Sequence, residues 1–396
     1  MADLKLFLDD LGEESKQKRQ DKKPIDDFIL GSFIESAGHR VFIHERTIDP
    51  AEEANLTDSS PAIPNWLYKY CKIYNFAKPE EIVFLDTETT GLDRGANTYA
   101  FLTGVLYYKE NKWYLKQYFI ESPENEILLM KLLAEFLKRF KILVSYNGKC
   151  YDIPLLDNRF KYHKSEYSIR NLELLDLLHL SRRFWKSILQ GCKLQNIEAL
   201  VFNYIRDYSN DIPGEFIPNA YFDYLATNNA EEISNVFYHN EQDLYSLTRI
   251  LQVCEKLTFT DMCYFDKYKI NSYSVAKLLV DIGLENNALP LLKTLSVSNS
   301  VPVEVPLLLA TLLKRDKDYS SALAYLKIKE ENSPEVCLEL SKIYEHHLKD
   351  LSQAFYYARK AYLMLHEDLD FNQGLISDAE KRITRIKKKL GTGSKN

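Results

Sequence analysis

The chain has 396 residues, 45% of them hydrophobic and 27% charged, with a formal net charge of −6. That length suits two folded units plus tails, and the balance is that of an ordinary globular protein. The negative charge excludes the broad basic footprint of a non-specific nucleic-acid binder, but not a local groove or metal ions that hold phosphates. The six cysteines (Cys71, Cys150, Cys192, Cys254, Cys263 and Cys337) include no C-x-x-C pair and none sits beside a His pair. That argues against zinc and for free thiols in a reducing, cytoplasmic setting. No apolar run is long enough to span a bilayer, so no membrane association is expected.

Residues 1–24 are charged and poor in aliphatics after Leu11, which reads as a flexible arm. Residues 25–79 form an N-terminal extension. It holds two short strands around the Ser36-Ala37-Gly38 turn, a Pro-, Asn- and Ser-rich linker over 49–66, and a helix-like WLYKYCKIYNF. From 80 the pattern becomes regular. EIVFLDTE is strand-like, and YAFLTGVLYY (99–108) and KWYLKQYFI (112–120) read as two strands joined by Lys109-Glu110-Asn111. ILLMKLLAEFLKRF has Leu and Phe at helical spacing. ILVSYN (142–147) is a short buried strand, a helix opens at Asp152, and NLELLDLL (171–178) is another short apolar stretch. Hairpin strands followed by alternating helices and strands predict an α/β unit over 80–257, with a mixed sheet flanked by helices.

Carboxylates mark the strand ends. Residues two apart on a strand face the same side, so Asp86 and Glu88 in FLDTETTGL share a face. Two anions that close resist burial unless a cation neutralises them, and oxygen-only donors suit Mg2+ or Mn2+. Read alone, the pair equally fits a solvated strand end. Two further acids add to it. Asp152 follows a short apolar strand and the Asn147-Gly148 turn, where it can also serve as a helix cap. In VFYHNEQDLYSL, Asp243 stands four residues after His239, on the same helical face.

The constellation FLDTETTGL, Asn147 through Asp152, and HNEQD resembles the DnaQ-like (DEDD) exonucleases of the ribonuclease H-like fold, over about residues 80–255. NDIPGEFIPNAYFDYL followed by HNEQD is similar to the bacterial YprB-type ribonuclease H-like proteins. The resemblance implies a five-stranded mixed sheet. It also implies a metal-dependent 3′→5′ exonuclease that hydrolyses single-stranded nucleic acid. Asp86, Glu88, Asp152 and Asp243 would hold two Mg2+ or Mn2+ ions, roughly 3.5–4 Å apart, with Asp86 bridging. His239 would accept a proton from the attacking water, near an ordinary pKa of about 6.5. Family members carry a His base five residues before the last Asp, or a Tyr four before. Here Tyr238 and His239 fill the reversed slots. Helical geometry favours His239 and leaves Tyr238 as the alternative. The resemblance also implies substrate contacts from Thr89, Thr90, the wedge-like Leu92 and Asn147; the bland reading is two ordinary turns, with Leu92 in the core.

From about 271 the chain turns helical and repetitive. Val275, Ala276, Leu278, Leu279 and Ala288, Leu289 recur 34 positions later as Leu309, Ala310, Leu312, Leu313 and Ala322, Leu323. A looser third copy matches Pro302, Asp318 and Ala322 with Pro334, Asp350 and Ala354. Such periods signal a helical solenoid. Residues 271–390 therefore resemble tetratricopeptide repeats, an all-α unit that offers a surface to a protein partner, although the signature Trp and Gly are missing. The basic tail RITRIKKKLGTGSKN reads as frayed. The competing functions are a nucleic-acid-binding or endonucleolytic ribonuclease H-like protein, or a repeat scaffold with little catalysis.

Overall fold

The strands pair in one sheet of seven, ordered β1-β2-β5-β4-β3-β6-β7. The computed structural model describes residues 23–91, 98–297, 301–329, 331, 333–367 and 373–393. The strands are β1 (Ser32–Ser36), β2 (His39–Ile48), β3 (Ile82–Thr89), β4 (Ala100–Lys109), β5 (Lys112–Phe119), β6 (Ile142–Ser145) and β7 (Glu173–Asp176). β1 through β5 pair antiparallel, and β6 and β7 extend the β3 edge in parallel. The sheet is therefore mixed, as expected, but has seven strands rather than five. The extra pair is the β1–β2 hairpin: β2 runs along β5 from Phe42↔Phe119 to Ile48↔Trp113. Its Val41, Phe42 and Ile43 are buried, and burying them requires the hairpin to join the main sheet.

The β4–β5 connection is a tight turn. Glu110 and Asn111 both take the left-handed conformation (φ 52° and 61°), the geometry of a two-residue type I′ turn. After β5 the chain enters α2 (Glu126–Leu137), having already formed the short α1 (Asn65–Cys71) before β3. α3 (Asp152–Tyr162) links β6 to β7, followed by α4 (Leu177–Trp185), α5 (Leu194–Val201), α6 (Ile217–Thr227) and the long α7 (Glu231–Glu255). Leu129, Leu133, Leu156 and Phe160 from α2 and α3 share a core with Val83 and Leu85 of β3. The 49–66 segment is not a loose linker. Asn55 is 1% exposed and donates from Nδ2 to Ser246 Oγ of α7 at 2.8 Å.

By its contacts the chain divides into two compact units, 1–257 with 267–269, and 258–266 with 270–396. The second unit contains α8 (Ser272–Asp281), α9 (Glu285–Ser296), α10 (Glu304–Arg315), α11 (Tyr319–Lys327), α12 (Pro334–Ile343), α13 (Leu351–Glu367) and α14 (Gln373–Gly393), each packed on the next. The repeated small residues Ala276, Ala288, Ala310, Ala322 and Ala354 are all fully buried, where they let helices approach. Asp318 and Asp350 play one role in successive copies: each accepts a backbone N–H in the first turn of the following helix, from Ser321 at 3.1 Å and Gln353 at 3.0 Å. The basic tail is not frayed through its described length, because α14 continues to Gly393. Arg382, Arg385 and Lys389 of α14 all converge on the buried carboxylate of Glu345, at 2.7–2.9 Å. Among the described residues, no helix is long and apolar enough to cross a membrane.

Candidate active site

β3 begins as a buried strand and ends polar: Ile82 to Leu85 are buried, while Asp86 to Thr89 are partly exposed. Asp86 lies opposite Gly104 of β4. The glycine is required there. A Cβ on it would stand 1.9 Å from Asn240 Oδ1 and 2.9 Å from Leu244 Cδ1. The space admits the buried Asn240 side chain of α7, whose Nδ2 donates to Asp86 Oδ2 at 2.8 Å. Asn240 Oδ1 in turn accepts from Gln117 Nε2 at 2.9 Å, which fixes the amide orientation.

Alternation along β3 turns Asp86 and Glu88 toward α7 and Thr87 the other way. Thr87 Oγ1 donates to Asp152 Oδ1 at the first residue of α3. The N-cap position is taken by Tyr151, not Asp152. The turn before α3 is held by Asp176, which accepts the N–H groups of Asn147 at 2.9 Å and Lys149 at 3.0 Å. Asn147 itself is left-handed (φ 63°). Gly148 leaves room for Ser145 Oγ, 2.3 Å from where a Cβ would lie.

On α7, His239 Nε2 faces Asp243 Oδ2 at 3.9 Å, and His239 Nδ1 meets Asp211 Oδ1 at 2.8 Å. Tyr238, one residue earlier, points its hydroxyl away to accept the Asp207 N–H at 3.3 Å. Asp243 Oδ1 is engaged by Arg206 Nη2. Of the remaining sequence candidates, Thr89 Oγ1 donates to the Gly91 carbonyl at 2.9 Å, and Thr90 accepts the Tyr99 N–H on Oγ1 at 3.4 Å. Both hydroxyls thus help close the turn after β3. Leu92 lies outside the described residues.

The electrostatics are those of crowded anions. Burial, then the charges of Asp243, Glu88 and Asp152, raise Asp86 well above the carboxylate range. Burial above all lifts Glu88 to about 7, with Asp243 and Asp152 adding to it and His239 opposing. Burial lifts Asp152 to about 6 against the Thr87 hydrogen bond. Burial disfavours charge on His239, but Asp243, Asp211 and Glu88 outweigh it and push the imidazole up to about 9. This corrects the expectation of an ordinary His pKa: with no added cation, the ring is an imidazolium at neutral pH.

Among the described residues, no three His, Cys, Asp or Glu side chains are gathered closely enough to form a ready metal cage. The donor chemistry nevertheless fits a hard divalent cation. The acids offer oxygen only, and three of them hold their protons more tightly, first because they are buried and, for Asp86 and Glu88, because neighbouring carboxylates add to it. The residues that sequence reading missed are Arg206, Asp211, Asn240 and Asp176. Only Asn240 carried a signal, the glycine inside an otherwise bulky strand, which marks a close approach.

Residues 83–254, which include all four acids and His239, match the family model of the RNase_H superfamily. Over 320 residues the chain is 26% identical to the "Uncharacterized protein YprB" of Bacillus subtilis (strain 168), covering 78% of this chain and 75% of that protein. The sheet, the strand-end acids and these matches together support an RNase H-like domain over residues 83–254.

Proposed function

We propose that the protein is a metal-dependent exonuclease that removes nucleotides from the 3′ ends of single-stranded nucleic acid. The observation that carries this reading is the set of strand-end and helix-start acids, Asp86, Glu88 and Asp152, whose burial raises their carboxyl pKa, with an Asp-held histidine beside Asp243. Asp86, Glu88, Asp152 and Asp243 are the residues that would hold two Mg2+ or Mn2+ ions. When bound, such ions lower the pKa of a water and balance charge on the leaving oxygen.

The chain's own residues supply the rest. Asn240 fixes one Asp86 oxygen and leaves the other free to bind. Asp211 holds His239 by Nδ1, so that Nε2 faces the acids. In its neutral form the imidazole, held this way, would accept a proton at Nε2 from a water placed beside the acids. The Tyr238 hydroxyl accepts the Asp207 N–H instead, which supports His239 as the base in this reading. Thr89 at the end of β3, Thr90 and Leu92 beyond it, and Asn147 would meet the terminal nucleotide. A narrow carboxylate cleft admits one strand more readily than a duplex.

The test is digestion of 5′-labelled single-stranded DNA and RNA with Mn2+, beside a circular single strand of the same sequence. The expected result is a ladder shortening from the 3′ end and an intact circle. Cleavage of the circle would make the site an endonuclease. Retention of both substrates without digestion would point to a binding protein.

A further inference from the structure

Asp243 differs from the other three acids in already having a counter-ion. Arg206 lies in the segment after α5 and is 5% exposed. Its Nε and Nη2 donate to the two Glu198 oxygens at 2.7 and 2.5 Å, and Nη2 also donates to Asp243 Oδ1. Glu198 is held on its other side by Ser246 Oγ at 2.5 Å. Nη1 lies 3.5 Å from the His239 carbonyl and 3.9 Å from Asp211 Oδ1. A guanidinium keeps its charge at any working pH, and its planar fork matches a carboxylate. Glu198 and Arg206 thus form a two-point clamp with one arm extended to Asp243.

We propose that Arg206 is the resident counter-cation of the carboxylate cluster. It occupies Asp243 in the metal-free protein, competes with the divalent ion for that carboxylate, and withdraws onto Glu198 when the ion binds. The proposal rests on the metal-dependent reading above. It accords with the lack of a ready cage among the described residues: one Asp243 oxygen is already engaged by an arginine. It also explains why Glu198 takes two of the guanidinium's donors. With that pairing kept, releasing Asp243 leaves no buried guanidinium without a partner.

The test measures Mn2+ binding directly, by the loss of the free-ion electron paramagnetic resonance signal on titration with full-length protein. The principal variant is the double change Glu198→Gln with Arg206→Met, which removes a buried cation together with its buried anion. It should bind Mn2+ roughly tenfold or more tightly than wild type, because a positive charge a few Å from the ion has gone. If the double variant does not fold, Arg206→Lys serves. It lacks the fork, should stay with Glu198 and release Asp243, and should bind about threefold more tightly. Equal or weaker Mn2+ affinity in the folded variant, with wild type binding the ion, overturns the competition and leaves the metal reading standing. Absence of Mn2+ binding by both proteins overturns both.

Discussion

At the scale of single residues, the site depends on Gly104 as much as on any acid. It is the one position in β4 where a side chain would collide with Asn240, and Asn240 holds Asp86. We expect Gly104→Ala to cost about 1–3 kcal/mol of stability, as overpacking does. It should also lower Mn2+ affinity, because Asp86 loses its orienting amide. Thermal unfolding and metal titration of the variant check both effects. Asp211 is the second such residue. Asp211→Asn removes the carboxylate that fixes His239 Nδ1 and raises its pKa. We expect hydrolysis to fall roughly tenfold to a hundredfold with the fold intact, as loss of an aligned base does. The His239 imidazole should titrate at lower pH, which NMR of the ring protons would follow. Strand and helix periodicity put Asp86 with Glu88, and His239 with Asp243, on shared faces, while the set with Asp152 came only from the family resemblance. Asp211 and Arg206 were not legible, because their partners lie 28 and 37 positions away and no periodicity joins them.

At the scale of elements, the sequence expectations held best where local chemistry dictates the backbone. The β4–β5 hairpin and the start of α3 at Asp152 fall within a residue of their expected limits, and α2 within three. The β1–β2 hairpin was legible as two strands, but its place in the main sheet was not, because pairing with β5 is a non-local choice. The end of the chain shows the same limit. A run of Lys and Arg reads as a solvated tail until the buried Glu345 is seen to collect three of them. Hydrogen bonds from Arg385 lead in lowering Glu345 to about 2, against an ordinary 4.5. A depressed carboxylate stabilises the folded state fully above its unfolded pKa, and loses that contribution as pH falls from about 4.5 toward 2. The cation cluster should therefore be worth up to about 3 kcal/mol at neutral pH. We expect Glu345→Gln to lower the melting temperature of the helical unit at pH 7, with the gap to wild type closing below pH 4 in calorimetry.

At the scale of the whole molecule, every residue of the candidate site lies within the first unit, from Asp86 to Asp243. The return of residues 267–269 to that unit includes the Tyr268 carbonyl, which accepts from Trp185 Nε1 at 2.8 Å. A chain ending at Lys269 therefore keeps all the chemistry and its buried support. We expect it to hydrolyse short single strands at rates within about threefold of the full chain, since the proposed acids and base all belong to the first unit. A much larger loss would assign the helical unit a direct part in catalysis. The repeat period was legible through its buried alanines and capping aspartates, because each repeat must bury the same small residues to stack.

The measurement that bears most directly on the whole account is single-turnover hydrolysis of a labelled single strand across a Mn2+ titration, with wild type beside Asp86→Asn and an EDTA control. The account requires hydrolysis that rises with Mn2+, vanishes in EDTA and falls by at least about a hundredfold in the variant, as removal of a group acting at the reacting centre does. Hydrolysis that survives EDTA, or that Asp86→Asn leaves unchanged, would contradict it.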